Sequence, residues 1–180
     1  MHIKIVHLLI FFLLGISLNA QKEGTIEKIG DYTELSLPAI ALTLVLANKD
    51  GDGAKQLLIS GAINIATVLG LKTIIDKERP IMNGSSDSFP SGHTAIAFHS
   101  ASFIYKRYGW KAGVPSLIAS SYVGYSRIHA KKHDEWDVLA GALIGAGSAL
   151  SITKSFDDKE LKIEGASVFN QVGLSVMLEF

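Results

Sequence analysis

One histidine of the chain is spaced from an aspartate so that the two side chains could act together in catalysis. His133 and Asp137 are four residues apart, so at the entry of a helix the carboxylate can reach one ring nitrogen of the imidazole. A carboxylate in that position sets the tautomer and leaves the other nitrogen free as a nucleophile. A His–Asp pair at this spacing is common by chance, so the pair alone is weak support for a site.

A second histidine opens an apolar segment. Pro90-Ser91-Gly92-His93 begins a predicted helix, where free backbone N–H groups can bind an anion and a glycine lets the anion approach closely. The alternative is an ordinary helix start, with Ser91 as the N-cap and His93 as a polar residue of the first turn. That interpretation does not explain why a histidine heads an apolar helix.

Fixed cations accompany both histidines. Lys72 and Arg79 are seven residues apart, about two helical turns, and Pro80 directly follows Arg79. A third cation, Arg127, precedes His133 in the same polar segment. Placing cations at the end of an apolar helix costs free energy unless they bind an anionic group. The alternative is that their side chains extend to the aqueous boundary without binding anything.

Composition excludes several classes of function. The chain has 180 residues, enough for one domain, with 48% apolar residues and 17 basic against 17 acidic side chains. A net charge of zero provides no basic field for a nucleic-acid partner. The absence of cysteine excludes disulfides, thiolate metal sites and a cysteine nucleophile. No carboxylate cluster suited to Mg²⁺ is evident, so we predict no metal and no cofactor.

The first twenty residues predict an export signal. Lys4 precedes an apolar run over 5–18, and Ala20 stands before a polar segment. A run of about 14 residues is short for a membrane span, which needs roughly 20. We predict a signal peptide over 1–20, with an uncleaved first transmembrane helix as the alternative. Both would place the following chain outside the cytoplasm.

Apolar segments separated by polar ones predict a helical domain over 21–153. Residues 21–34 are polar and predict a surface segment, 106–111 predict a loop, and 127–135 predict a polar link. The five predicted helices cover 35–47, 54–75, 91–107, 112–126 and 136–153. In the tail, 154–180, apolar residues alternate over 172–180, which predicts a strand and a possible hairpin with 161–168.

Two features bear on a membrane location. The apolar runs are mostly about 13–17 residues, which is short, but they are rich in glycine, alanine and serine, as helices packed in lipid are. Residues 105–111 combine three cations with three aromatic rings, as expected of a cytoplasmic boundary. We therefore favour a membrane bundle, which would bring residues 76–92 and 127–136 together on the outer face. A soluble bundle is the alternative.

Taken together, the polar segments form a specific signature. They are Lys72-x6-Arg79-Pro80, Pro90-Ser91-Gly92-His93, and Ser126-Arg127-x5-His133-x3-Asp137. Their order and internal spacing closely resemble the three-part signature of the type-2 phosphatidic acid phosphatase family. That family includes bacterial class A acid phosphatases and vanadium haloperoxidases. The resemblance covers about residues 35–153 and implies an all-α bundle of five to six helices, membrane-embedded, with a short β-like C-terminal tail.

The resemblance also implies a role for each signature residue. His133 would be the nucleophile that forms a phosphohistidine, Asp137 its orienting carboxylate, and His93 the general acid. The phosphoryl group would be bound by five residues: Lys72, Arg79, Ser91, Gly92 and Arg127. Fixed cations and N–H donors of this kind stabilise the charge that spreads over phosphoryl oxygens.

The function implied is a metal-independent phosphatase acting on a lipid phosphate at the periplasmic face of the cell membrane. Phosphatidate, phosphatidylglycerophosphate, isoprenyl pyrophosphate and lipid A are all substrates of the family, and the signature suits each of them equally. One alternative is a soluble periplasmic acid phosphatase for small phosphomonoesters. Another is a membrane protein that binds phospholipid without turnover, which would need the cations but not the two histidines. A haloperoxidase is disfavoured because such chains are generally much longer.

Overall fold

The computed structural model describes residues 23–82, 84–156, 163–168 and 171–176. Within these residues five helices follow one another along the chain: α1 Glu23–Ala47, α2 Gly51–Ile74, α3 Gly92–Tyr108, α4 Trp110–His129 and α5 Glu135–Ile152. The predicted all-α bundle is therefore confirmed. The predicted signal peptide over 1–20 lies outside the described residues.

Two short strands lie in the tail, where the sequence predicts a hairpin. Strand β1 covers Ile163–Val168 and β2 covers Gln171–Val176. They pair antiparallel, with Ile163 opposite Val176. The division of the chain at residues 20 and 153 stays a prediction.

The helix starts follow from polar caps in the sequence. The Asp50 side chain accepts a hydrogen bond of 2.8 Å from the Gly53 amide and begins α2. Asp134 and Asp137 form a reciprocal capping box at the start of α5. Such caps satisfy backbone N–H groups that the first turn of a helix leaves without partners. The second cap sets the entry of α5 beside His133, within the third signature block.

The polar segment 21–34 is not the surface segment that the sequence predicts. Helix α1 begins at Glu23 and continues through this region to Ala47. Glu27, Asp31 and Glu34 are spaced i, i+4 and i+7, so they share one helical face. That face contacts cations and a histidine of the signature blocks. The polar face of this part of α1 packs against the rest of the bundle. A search for periodic apolar residues does not detect such a helix.

Two other boundaries also differ from prediction. The expected loop over 106–111 is reduced to Gly109, whose φ of 86° turns the chain between α3 and α4 in a single residue. A glycine accepts this left-handed conformation without steric cost. Helix α4 continues through Arg127 to His129, so the predicted polar link shrinks to residues 130–134.

Helix α3 occupies the centre of the bundle and contacts the other four helices. Small side chains permit this packing: Ala95, Ala97 and Ala101 are fully buried. Helix α5 approaches α3 most closely at Gly141 and Gly145. A Cβ atom at Gly141 would overlap the carbonyl oxygen of Ser91, and one at Gly145 would overlap that of Ala95. These glycines therefore bring the start of α3 against the start of α5.

Helices α1 and α2 are long and apolar enough to cross a membrane, over Gly24–Ala47 and Gly51–Ile74. In α2 only 17% of the most apolar stretch is buried inside the bundle. Leu58, Ile59 and Leu69 are among its exposed side chains. The core helix of a soluble protein would instead be mostly buried, so the outward face of α2 suits a lipid environment.

An ion pair joins the helices at the end opposite the signature blocks. The Arg107 guanidinium donates to both carboxylate oxygens of Asp50, at 2.7 and 2.5 Å, and both side chains are buried. It also donates to the backbone oxygens of Lys154 and Ser155. Tyr108 adds a third hydrogen bond to Asp50, at 2.9 Å. The hydrogen bond from Arg107 is the main reason that the pKa of Asp50 is lowered.

We expect Asp50→Ala to lower the free energy of unfolding by about 3–5 kcal/mol, because it leaves the buried Arg107 charge without a negatively charged partner. The matched control is Asp52→Ala, two residues away, where the side chain is 78% exposed. The control should change stability by no more than about 0.5 kcal/mol. Thermal unfolding in detergent would measure both, and equal midpoints for the two variants would contradict the role given to the ion pair.

A second pair of variants tests the close approach of α5. Gly141→Ala should destabilise the protein by about 1–3 kcal/mol, because the new methyl group forces α5 away from Ser91. Gly147→Ala, in the same helix with nothing within 4 Å of its Cβ position, should stabilise by about 0.5–1 kcal/mol. Thermal unfolding separates the two, and a Gly141→Ala protein as stable as wild type would refute the tight contact.

Candidate active site

The loop between α2 and α3 folds back on itself at one end of the bundle. The Lys77 amide donates to the Ser86 carbonyl at 3.1 Å, and the Ser88 amide donates to the Lys77 carbonyl at 3.0 Å. The Arg79 amide donates to the Ser85 carbonyl at 3.1 Å. These bonds fix the backbone around Lys77 and Arg79, which follow Lys72 of α2 along the first signature block.

Lys72 and Arg79 converge on a single residue, Asp87. Arg79 binds its carboxylate with two hydrogen bonds of 3.0 Å, and Lys72 donates to its backbone oxygen. Hydrogen bonds from the Ser85 hydroxyl and then from Arg79 lower the pKa of Asp87 to about 2, against the opposing effect of burial. The two cations predicted to bind phosphate are therefore close together, and Asp87 stays ionised near them.

His133 and Asp137 are adjacent and both are buried. The Nδ1 atom of His133 lies 3.6 Å from Oδ2 of Asp137, beyond hydrogen-bond distance, and has no hydrogen-bond partner. Oδ2 instead accepts a hydrogen bond of 2.5 Å from the Ser88 hydroxyl. The spacing thus brings the pair together as predicted, but the direct hydrogen bond between them is not formed in this geometry.

The surroundings of His133 keep its imidazole neutral. Burial, helped by the nearby charges of Lys72 and Arg79, lowers the pKa of His133 to about 4, against the opposing effects of Asp137 and a hydrogen bond with the Ser88 backbone. At neutral pH this imidazole is uncharged and one of its nitrogens carries a free lone pair. A lone pair beside fixed cations is what a nucleophile for a phosphate ester requires.

The second block joins the third through Ser91. Its amide donates to the backbone oxygen of Asp137 at 2.9 Å, and its hydroxyl bonds with Thr94 and caps α3. A Cβ atom at Gly92 would meet Val68 only at 3.7 Å, an ordinary contact, so packing alone does not demand glycine there. This leaves the close approach of an anion as a reason for Gly92.

His93 and Arg127 meet the same carboxylate of α1. Arg127 is fully buried and its Nη1 donates to Oδ1 of Asp31 at 2.7 Å. The Nε2 atom of His93 lies 3.4 Å from that same oxygen and 3.5 Å from Oε2 of Glu34. Arg127 also donates to the Glu27 backbone oxygen at 2.9 Å. Helix α1 thus completes the site from outside the three signature blocks.

The eight predicted site residues therefore lie at one end of the bundle, and several share a partner: Lys72 and Arg79 share Asp87, and His93 and Arg127 share Asp31. Sequence reasoning missed two groups of neighbours. The carboxylates of α1 had a usable signal, because residues 27, 31 and 34 share one helical face. Lys77 gave no such signal, because it lies between Lys72 and Arg79 at a position that the signature leaves open.

Two further histidines have partners outside the eight predicted site residues. His99 is bonded to Ser60 at 2.8 Å in the interior of the bundle. His129 stacks on Tyr125 with ring centroids 5.8 Å apart. Across residues 23–82 and 84–156, no group of three or more histidine, aspartate and glutamate side chains could hold a metal ion.

A helical bundle that presents histidines, a buried carboxylate and fixed cations at one end has the features of a phosphoryl-transfer enzyme. Comparison with known proteins gives the family. The sequence model of the PAP2 superfamily matches residues 53–160. The chain belongs to the PAP2 superfamily, as the three signature blocks predict.

Several relatives are similar over substantial lengths. The lipid A 4′-phosphatase of Helicobacter pylori is 32% identical over 145 residues, which cover 74% of this chain and 72% of that protein. The lipid A 1-phosphatase of Porphyromonas gingivalis is 34% identical over 97 residues, covering 50% of this chain and 22% of that protein. The crystal structure of Aquifex aeolicus LpxE has a TM-score of 0.60 at 22% identity, covering 83% of this chain and 92% of that one. The LpxE structure confirms the all-α fold, and the two relatives support phosphatase activity on a lipid phosphate.

Proposed function

We propose that this protein is a metal-independent phosphatase that hydrolyses a lipid phosphate through a phosphohistidine on His133. The observation that carries the proposal is the buried, neutral imidazole of His133 with Lys72 and Arg79 close enough to lower its pKa. A binding protein would need the cations alone. A buried, uncharged imidazole with one lone-pair nitrogen beside these cations favours turnover.

The reaction proceeds in two balanced steps. In the first, Nε2 of His133 attacks phosphorus, the bond to the leaving oxygen breaks, and His93 gives that oxygen a proton. In the second, water attacks the phosphohistidine, His93 takes a proton from the water, and phosphate leaves from His133. Asp137 stabilises the positive charge that the imidazole acquires while it is phosphorylated.

The cations stabilise the transition state of both steps. Lys72, Arg79 and Arg127 would hold the equatorial phosphoryl oxygens, together with Ser91 and the Gly92 amide. Arg127 enters this role with its guanidinium already held by Ser126, Asp31 and the Glu27 carbonyl. A guanidinium held in place loses less side-chain entropy when it binds a phosphoryl group.

The substrate proposed is a phosphate of the lipid A type. Two relatives are named for phosphatases of lipid A, and the exposed apolar face of α2 would lie in the bilayer beside a lipid substrate. The site would face the periplasm if the export signal predicted over 1–20 precedes α1, because the signature blocks share the end of the bundle at which α1 begins. Phosphatidate and phosphatidylglycerophosphate carry the same phosphomonoester group, whereas isoprenyl pyrophosphate carries a phosphoanhydride; phosphatidate is the comparison substrate.

The experiment measures phosphate release by detergent-purified protein in excess EDTA. Substrates are lipid A, a long-chain phosphatidate and a short soluble phosphomonoester. We expect release from the lipids, and loss of at least about a thousandfold in His133→Ala, because the nucleophile is gone. The control is His129→Ala, in the same stretch of chain, which should keep wild-type activity.

Each other outcome has a definite meaning. Turnover by His133→Ala at the wild-type rate would overturn the mechanism, and loss of activity in EDTA would overturn metal independence. Equal release from the soluble ester would favour a broad acid phosphatase. No release from any of the three would favour a protein that binds phospholipid without turnover.

The pH profile is a second prediction. The nucleophile must carry no positive charge, and the pKa of His133 is about 4, so activity should fall as pH drops through 4. An unperturbed histidine would lose activity near pH 6.5 instead. His93 must be protonated to act as the acid, and burial together with the charge of Arg127 lowers its pKa, so activity should also fall as pH rises through that lowered pKa. Initial rates at each pH, with a return to pH 7 to exclude unfolding, test this. An acid limb at 6.5 would contradict the neutral, buried imidazole.

A further inference from the structure

We propose that Lys77 is a positioning residue that holds Asp137 and thereby sets the orientation and the basicity of His133. Lys77 lies between Lys72 and Arg79 but occupies no signature position. It would contact neither the substrate nor the reacting atoms. The inference rests on the proposed function, because it concerns the nucleophile of that reaction.

The contacts of the Asp137 carboxylate carry the argument. Oδ1 accepts a hydrogen bond of 2.7 Å from the Lys77 ammonium. Oδ2 accepts from the Ser88 hydroxyl at 2.5 Å and from the Asp134 amide at 3.2 Å, and it faces His133 at 3.6 Å. The two oxygens therefore have different surroundings: Lys77 holds Oδ1, whereas Oδ2 is held by Ser88 and Asp134 and is the oxygen nearest to His133.

Lys77 itself is fixed in place. Its amide and carbonyl both form backbone hydrogen bonds within the loop, to Ser86 and from Ser88. Its ammonium also donates to Asp134 at 2.6 Å and lies 5.9 Å from the centre of the Phe89 ring. Burial lowers the pKa of Lys77, but hydrogen bonds to Asp134 and Asp137 outweigh burial and leave it raised, so the ammonium stays charged.

Charge balance explains why a cation is needed there. The Asp137 carboxylate is completely buried, and an ion without a partner in such a place is very costly. Among the described residues, Lys77 is the one ammonium or guanidinium in contact with that carboxylate. A neutral residue at position 77 would leave the full negative charge of Asp137 beside the imidazole.

The consequence for His133 has a definite sign. Five effects set the pKa of His133. Asp137 and a hydrogen bond with the Ser88 backbone favour the protonated imidazole, whereas burial and the charges of Lys72 and Arg79 disfavour it. Without Lys77, the pull of Asp137 on a proton would increase. The nucleophile would then remain protonated to a higher pH, and the acid limb of the activity profile would move upward.

Two substitutions separate the charge of Lys77 from its hydrogen bond. Lys77→Met removes both, and Lys77→Gln keeps a donor for Asp137 without the charge. We expect kcat of Lys77→Met to fall roughly tenfold to a hundredfold, as it does when other orienting partners are lost. KM should stay within about threefold, because no phosphoryl contact changes. In both variants the acid limb should move up by about one pH unit.

Two controls accompany them. Lys77→Arg restores the cation and should recover most of kcat and the wild-type acid limb. Lys55→Met removes a lysine that is 77% exposed at the opposite end of the bundle, and it should behave as wild type. Inhibition by orthovanadate within about threefold of wild type would show that the phosphate site of each variant is folded.

The outcomes are decisive. A wild-type kcat in Lys77→Met would overturn the inference. A reduced kcat with an unmoved acid limb would also overturn it, because that result would indicate a lysine with a structural role only. If Lys77→Met does not fold, an unmoved acid limb in Lys77→Gln would overturn it equally. Failure of the proposed function is distinguishable, because it would appear as an inactive wild-type protein or an active His133→Ala.

Discussion

The hydrogen bond from the Ser91 amide to the Asp137 backbone oxygen is the contact on which the site depends. It joins the start of α3 to the start of α5, and so brings the second signature block to the third. The bond can form because Gly141 and Gly145 let the two helices approach until their backbones nearly touch. A larger residue at either glycine would separate the two histidines that the proposed reaction requires to act on one phosphoryl group.

Charge pairing is the second organising feature. The cations of the site all have carboxylate or carbonyl partners in the free protein: Lys72 and Arg79 at Asp87, Lys77 at Asp137, and Arg127 at Asp31. Pairing lowers the cost of keeping these ions partly or fully buried. A phosphoryl group must compete with Asp31 and Asp87 for the same donors, so binding exchanges one set of charge-assisted hydrogen bonds for another.

The sequence predicted the helical bundle well because apolar segments separated by turn residues are a local signal. The prediction was wrong where the polar side chains of a helix bind residues that are distant in the sequence. The sequence predicts a surface segment over 21–34 because these residues are polar, yet three carboxylates of this segment face Arg127, Lys132 and His93. The predicted loop at 106–111 failed for another reason. Gly109, with a positive φ, replaces the loop there. The composition of the neighbouring residues does not indicate so short a connection.

The sequence by itself determined the order and internal spacing of the three blocks, hence the family, and the pairing of His133 with Asp137 one helical turn apart. These are short-range relations, and helical periodicity encodes them directly. Only the tertiary structure decided that Asp31 bonds to Arg127 across 96 positions and Lys77 to Asp137 across 60. Such contacts depend on how closely whole helices pack, which the side-chain volumes of many residues set together, so no local pattern reports them.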